Sequence, residues 1–132
     1  VHGAAGPELV RASMQLAPCP AGRARLTASF ALPGRFVIHA VGPIFDNLEK
    51  DGPKLASAYR TSLDLAALHE VDSIAFPCIS TGVYDFPHQE ACDIACETVI
   101  RWLSENETPH RIVFCCFEDR DFQLYRERLA LD

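Results

Sequence analysis

The sequence predicts an α/β domain built on a largely parallel sheet with helices on both faces, and three observations carry that expectation. Short β-rich runs alternate with segments of helical period, in the order helix, β, β, helix, β, helix, β, helix. Two of those runs, 36–41 and 111–117, are apolar almost throughout, as strands covered on both faces are. The chain of 132 residues is 48% hydrophobic, enough for one core and no more than one domain.

The first helical stretch starts at Pro7-Glu8-Leu9-Val10, with Leu9, Val10, Met14 and Leu16 able to share a face, and ends in Pro18-Cys19-Pro20-Ala21-Gly22. From Arg23 to Phe30, Ala24, Leu26, Ala28 and Phe30 alternate with polar residues, the period of a half-buried strand. Leu32-Pro33-Gly34 turns the chain into Phe36-Val37-Ile38-His39-Ala40-Val41, a strand expected to be covered on both faces and closed by Gly42-Pro43. His39 within that run reads as a hydrogen-bonded core histidine.

A helix is expected from Pro53 to about His69, because Leu55, Ala58, Tyr59, Ser62, Leu63, Ala66 and Leu68 recur at its spacing. Ser73 to Pro77 reads as another buried strand. Ile79-Ser80-Thr81-Gly82-Val83-Tyr84 then links it to a helix with Pro87 in its first turn and with Ala91, Ile94, Ala95, Val99 and Trp102 facing inward. Ser104 to Pro109 is a polar connection. Arg111 to Phe117 is the last buried strand, and the closing helix carries Phe122, Tyr125 and Leu129.

Charge and cysteine usage narrow the partners. The formal net charge of −6 argues against duplex nucleic acid, whose binding rests on clustered Lys and Arg. A small diphosphate stays open, because backbone N–H groups and a helix N-terminus can meet it without lysines. No apolar run approaches the ~20 residues needed to cross a bilayer, so no membrane partner is expected. The six cysteines sit mostly in apolar segments without the spacing of a small secreted domain, which predicts reduced thiols and a cytoplasmic location. The opening Val1-His2-Gly3-Ala4-Ala5-Gly6 carries no initiator Met, which leads us to expect further residues upstream.

In open α/β sheets ligands bind outside the carboxyl ends of the strands, which singles out 79–84 and 117–119. Ser80-Thr81-Gly82 offers small hydroxyls and a glycine that permits close approach and positive φ; the same residues also make an ordinary turn. Tyr84 could lie over a sugar or plug the sheet edge, and Phe86 reads as core. Phe117 at a strand end suits both a stacking role and a structural one.

His88, Cys92 and Cys96 recur every four residues but span roughly 12 Å, too far for one ion, so no metal is expected. Asp85, Glu90, Glu118, Asp119 and Asp121 sit where helices start, and capping is their expected role. No acid/base pair declares itself, and no catalytic residue is assigned.

His2-Gly3-Ala4-Ala5-Gly6-Pro7, Leu32-Pro33, Val37 to Pro43, Phe76 to Tyr84 and Phe117 to Tyr125, in this order and spacing, resemble the macro domain family. The likeness covers nearly the whole chain and leans to the branch of mono-ADP-ribosyl-protein and O-acetyl-ADP-ribose hydrolases. It implies a three-layer α/β/α fold with a mixed, largely parallel central sheet, the domain filling residues 1–132 with the family's first strands absent. It also implies that Ile79, Ser80, Thr81, Gly82 and Val83 wrap a diphosphate and the distal ribose, that Tyr84 orients that ribose, and that Phe117 stacks near the adenine. No cofactor is implied; the partner would be ADP-ribose or an ADP-ribosylated protein.

Relatives of this kind hydrolyse a bond at the distal ribose by holding the diphosphate and positioning a water. Their Asn-Ala-Ala-Asn motif and Gly-rich loop with its Asp have no counterpart in these residues, so hydrolysis is expected of a longer parent and little turnover of this chain alone. The alternatives are a reader that binds ADP-ribose without cleaving it, and a remnant without a ligand whose sheet edge is left unpaired.

Overall fold

The computed structural model describes residues 21–28, 36–82, 84–109 and 111–129. The helix expected from Pro7 to Leu16, the turn at Leu32-Pro33-Gly34 and Cys19 lie outside those residues. Within the described residues seven elements follow in chain order: strands β1 (Ala24–Ala28) and β2 (Phe36–Ala40), helix α1 (Leu48–Leu68), strand β3 (Ser73–Pro77), helix α2 (His88–Glu105), strand β4 (Arg111–Cys115) and helix α3 (Asp119–Arg128). The order and type of each match the sequence reading.

β1 and β2 pair antiparallel, from Ala24 opposite Ala40 to Ala28 opposite Phe36. The ladder runs on through Gly22 N–H to Val41 O at 2.7 Å and Val41 N–H to Arg23 O at 3.1 Å. β3 and β4 pair parallel, from Ser73 opposite Arg111 to Pro77 opposite Cys115, with α2 as the crossover between them. The described residues therefore form a mixed arrangement, one antiparallel and one parallel pair, as an α/β fold of this kind requires.

Three strands expected to be buried are not. In β2, Ile38, His39 and Ala40 are only half-buried. Ser73, Ala75 and Pro77 of β3 are exposed, as are Arg111, Val113 and Cys115 of β4, while Ile74, Phe76, Ile112 and Phe114 turn inward. Apolar composition suggested cover on both faces, but the core gathers on one face of this pair. There Leu55, Tyr59 and Leu63 of α1, Ala91, Cys92, Ala95, Cys96 and Val99 of α2, and Tyr125 of α3 pack on Phe76. The rings interlock edge to face, Tyr59 on Phe76 at 5.0 Å, and Phe114 lies against Tyr125 at 4.8 Å.

Cys92 and Cys96 are core residues, fully buried, and burial pushes the Cys92 thiol up to about 12. Ile94 and Trp102 are half-buried rather than fully inward, and Phe122 of α3 faces solvent. α1 also grips the other strand pair, because Ser57 Oγ donates to Gly22 O at 2.7 Å.

α1 begins five residues before Pro53, the start expected from the sequence, because the chain supplies caps ahead of the proline. Asn47 Oδ1 accepts from Lys50 N–H at 2.8 Å. The Asp51 carboxylate folds back to accept from Asp46 N–H at 2.7 Å and Asn47 N–H at 3.1 Å. Pro53 removes one intrahelical donor, and the helix continues through it. α2 starts at His88 with Pro87 in the capping position, one residue ahead of the first turn in which it was expected.

Asp51 is buried, and its carboxyl is held below the ordinary value, first by the Asp46 N–H, against the opposing effect of burial, and further by Asn47 N–H, Lys50 and Lys54. A carboxylate whose folded pKa lies below its unfolded one stabilises the fold fully above the unfolded value of ~3.9, and that contribution is lost as pH falls through the lowered folded value. The expected outcome is that Asp51→Asn lowers the melting temperature at pH 7 and flattens its fall between about pH 5 and pH 2. Melting curves for wild type and variant that drop in parallel with acid would remove Asp51 from that role.

Candidate functional site

The C-terminal ends of β3 and β4 lie side by side, and each opens directly into one of the two segments singled out in the sequence. After β3 the chain closes a compact loop on its own backbone. Thr81 Oγ1 donates to Cys78 O at 3.0 Å, Phe86 N–H to Ser80 O at 2.9 Å, and Asp85 N–H to Gly82 O at 3.0 Å. The core fixes the root of this loop through Tyr59, whose hydroxyl accepts from Ile79 N–H at 3.3 Å and donates to Pro77 O at 3.5 Å. Burial pushes the Tyr59 phenol up, so it stays a neutral donor and acceptor.

Positive φ occurs at Ser80 (68°) and Asp85 (58°), not at the glycine. Gly82 instead leaves the rim of the loop open, with nothing within 4 Å of the place a Cβ would occupy. The left-handed turn at Ser80 tucks its hydroxyl inward against Gly42, where Ser80 Oγ is buried without a hydrogen-bond partner. Among the described residues the N–H groups of Ser80 and Gly82 also have no partner. Unpaired donors gathered on one short turn suit a bound anion.

Phe86 anchors the far end of the loop in the core, edge to face with Phe45 at 4.9 Å, which confirms its structural reading. Tyr84 stands at the rim, 37% exposed, with its carbonyl accepting from Phe45 N–H at 2.8 Å. Beside it a cavity of about 230 Å³ is bounded by Gly42, Pro43, Ile44, Lys50 and Lys54. Phe117, expected to end the strand, stands two residues past the end of β4 and is 92% exposed, apolar surface that no core contact among the described residues explains. Thus Ile79, Ser80, Thr81, Gly82 and Tyr84 form one loop and Phe117 follows the neighbouring strand; Val83 lies outside the described residues.

A second cluster, between the start of α2 and the first turn of α3, escaped the sequence reading. His88 Nδ1 lies 2.5 Å from Asp121 Oδ1, and Asp121 is buried. Arg120 donates to His88 Nε2 at 2.9 Å and to Glu118 at 3.1 Å. An arginine can only donate, so Nε2 accepts and Nδ1 carries the proton given to Asp121. The caps expected of Glu118 and Asp121 are not made: Glu118 occupies the capping position of α3 without a side-chain cap bond, and both carboxylates serve the network instead.

The spacing of His88, Cys92 and Cys96 is local, whereas the partners of His88 lie 32 and 33 residues away, where no local pattern announces them. His88, Glu118 and Asp121 bring three ligand atoms within 4.8 Å, a spacing a divalent ion could use, yet the Arg120 guanidinium already supplies positive charge there. The network ties α2 to α3 and so holds the two ligand-facing segments together.

The family model for the Macro domain matches residues 1–95. A macro domain-containing protein of Chlorobaculum tepidum is 44% identical over 131 residues, 98% of this chain and 76% of that protein. The O-acetyl-ADP-ribose deacetylase of Klebsiella pneumoniae is 42% identical over 135 residues, covering 98% of this chain and 77% of its own length. Among solved structures, a mutant macrodomain of Oceanobacillus iheyensis with ADPR superposes with a TM-score of 0.92 at 39% identity, over 98% of this chain and 73% of that one.

Proposed function

The chain belongs to the macro domain family, and from that premise we propose that it binds ADP-ribose across the ends of β3 and β4 and serves hydrolysis at the distal ribose. One observation carries the binding: a turn at Ser80 that leaves the Ser80 and Gly82 N–H groups without a partner beside an open glycine rim, one strand away from an exposed aromatic ring. The loop from Ile79 to Tyr84 meets the diphosphate with its backbone amides, so a chain of net charge −6 needs no basic patch. Tyr84 faces the distal ribose and Phe117 covers the adenine. A solved relative carrying ADPR supports the ligand, and a relative named as an O-acetyl-ADP-ribose deacetylase supports the reaction class.

In that reaction water is added across the ester at the distal ribose. The loop's part is to hold the diphosphate so that the ribose is presented in one pose, a contribution of orientation rather than of acid or base. The test is titration calorimetry with ADP-ribose, paired with release of acetate from O-acetyl-ADP-ribose. Binding in the micromolar range or tighter, about −8 kcal/mol, is expected. Binding with little acetate release is the result expected of these 132 residues; full release by them would place the catalytic groups within the chain, and no heat at ~1 mM ligand would end the reading altogether.

A further inference from the structure

The pair Cys78 and Cys116 enters none of the steps above, yet each thiol sits at the root of one ligand-facing segment. Pro77 and Cys115 are register partners of β3 and β4, so Cys78 and Cys116 leave the sheet side by side. Neighbouring strands run ~4.8 Å apart, inside the ~4.4–6.8 Å between Cα atoms that a disulfide spans. The two sulfurs already lie 3.7 Å apart, and both residues are half-buried, within reach of a small oxidant. We propose that Cys78 and Cys116 are an oxidation site, closing to a reversible disulfide that locks the roots of the Ser80 loop and of the Phe117 segment together and weakens ligand binding.

The chemistry requires a two-electron oxidant of the peroxide class. One sulfur attacks a peroxide oxygen, the O–O bond breaks, and a sulfenic acid and one water result. The second sulfur displaces the hydroxyl as another water, its own thiol proton leaving with it. Two thiols thus lose two electrons and one hydrogen peroxide becomes two waters. Burial pushes the Cys78 thiol up to about 12 and raises that of Cys116, so little thiolate is present and the attack on peroxide is slow, which calls for prolonged exposure to the oxidant.

The effect on the loop follows from one hydrogen-bonding group. The Cys78 carbonyl is the acceptor that closes the turn, through Thr81 Oγ1 at 3.0 Å. Drawing the sulfurs from 3.7 Å to about 2.05 Å shifts that carbonyl or strains its bond. Displacements near 1 Å in a positioning loop cost large factors, and about tenfold weaker binding is expected here.

The cross-link stands on geometry alone, whereas its effect rests on the ADP-ribose reading, so the experiment has two arms. The full chain is treated with hydrogen peroxide, free thiols are blocked, and peptides from a digest without reductant are fragmented in the mass spectrometer. A Cys78–Cys116 linkage is expected, absent in Cys116→Ser and retained in Cys115→Ser. No linkage, or one running through Cys115, overturns the proposal, and the wild-type digest decides this even if Cys116→Ser fails to fold. ADP-ribose affinity is then measured before oxidation, after it and after dithiothreitol. Weaker binding that dithiothreitol restores supports the switch; equal affinity in the reduced and cross-linked forms overturns it. A reduced protein that binds no ADP-ribose would count against the ligand reading, and the cross-link would then be judged on the digest.

Discussion

Gly42→Ala is expected to abolish most ADP-ribose binding and to destabilise the chain, although residue 42 carries no side chain and its replacement adds one methyl. A Cβ there would stand 2.0 Å from Ser80 Oγ and 2.5 Å from Ile79 Cγ2. Rotation of the Ser80 hydroxyl relieves only the first contact, because the Ser80 backbone at φ 68° keeps its Cβ 3.3 Å from the same point and Ile79 is held by its N–H bond to the Tyr59 hydroxyl. The loop must therefore lift from the end of β2, opening the turn that presents the Ser80 and Gly82 amides. Overpacking of this kind costs about 1–3 kcal/mol, while the stiffer unfolded chain of the alanine variant offsets about 0.4–1 kcal/mol. Destabilisation wins, with a melting point lower by roughly 2–6 °C. Affinity should fall about tenfold or more, because the lost geometry is that of the anion cradle itself. Gly82→Ala is the comparison: with open space around its Cβ, stability should hold within about 0.5 kcal/mol. An alanine at 42 that binds ADP-ribose with wild-type affinity would detach the Gly42 contact from function.

How much of this was legible in the chain depends on the range of the interaction. The alternation of β1 and the 3.6-residue period of α1 and α2 are local, and each element includes its pattern in the described residues, with α1 starting five residues earlier than expected. The loop at 79–84 was legible as a site because a strand, small hydroxyls, a glycine and a helix follow in one short run. Which residue would take the left-handed conformation was not, since glycine is the usual occupant and here Ser80 turns instead, held by Phe86 N–H on its carbonyl. Gly42 read only as the end of a strand; that it faces Ser80 depends on packing between segments 38 residues apart in number. The same limit hid His88 and Asp121, whose pairing replaces one local expectation, a helix cap for Asp121. Burial misled where composition was used alone, because β3 and β4 are apolar enough for two covered faces and use one.

Phe117→Ala is expected to leave stability within about 0.5 kcal/mol of wild type while weakening ADP-ribose binding about 5- to 150-fold. The first half follows from exposure: at 92% the ring contributes almost nothing to the core, and its replacement leaves the Glu118 backbone and the Arg120–Glu118 pair in place. The second half follows from what such a ring offers a ligand. Stacking of a base on an aromatic face contributes about 1–3 kcal/mol, and Phe117 stands one strand from the loop that would hold the diphosphate. Phe122, also exposed at 52% but placed on α3 beyond the loop, is the control; Phe122→Ala should change affinity little. Ligand truncation then separates the base from the sugar. Ribose 5-phosphate has no adenine, so its affinity should be the same for wild type and Phe117→Ala if the ring covers the base. Were ribose 5-phosphate to lose as much affinity as ADP-ribose, the ring would be meeting the distal ribose, and the assignment of adenine to Phe117 would have to be exchanged for the sugar. Phe117→Trp sharpens the choice, because a larger stacking face tightens a base contact and crowds a ribose.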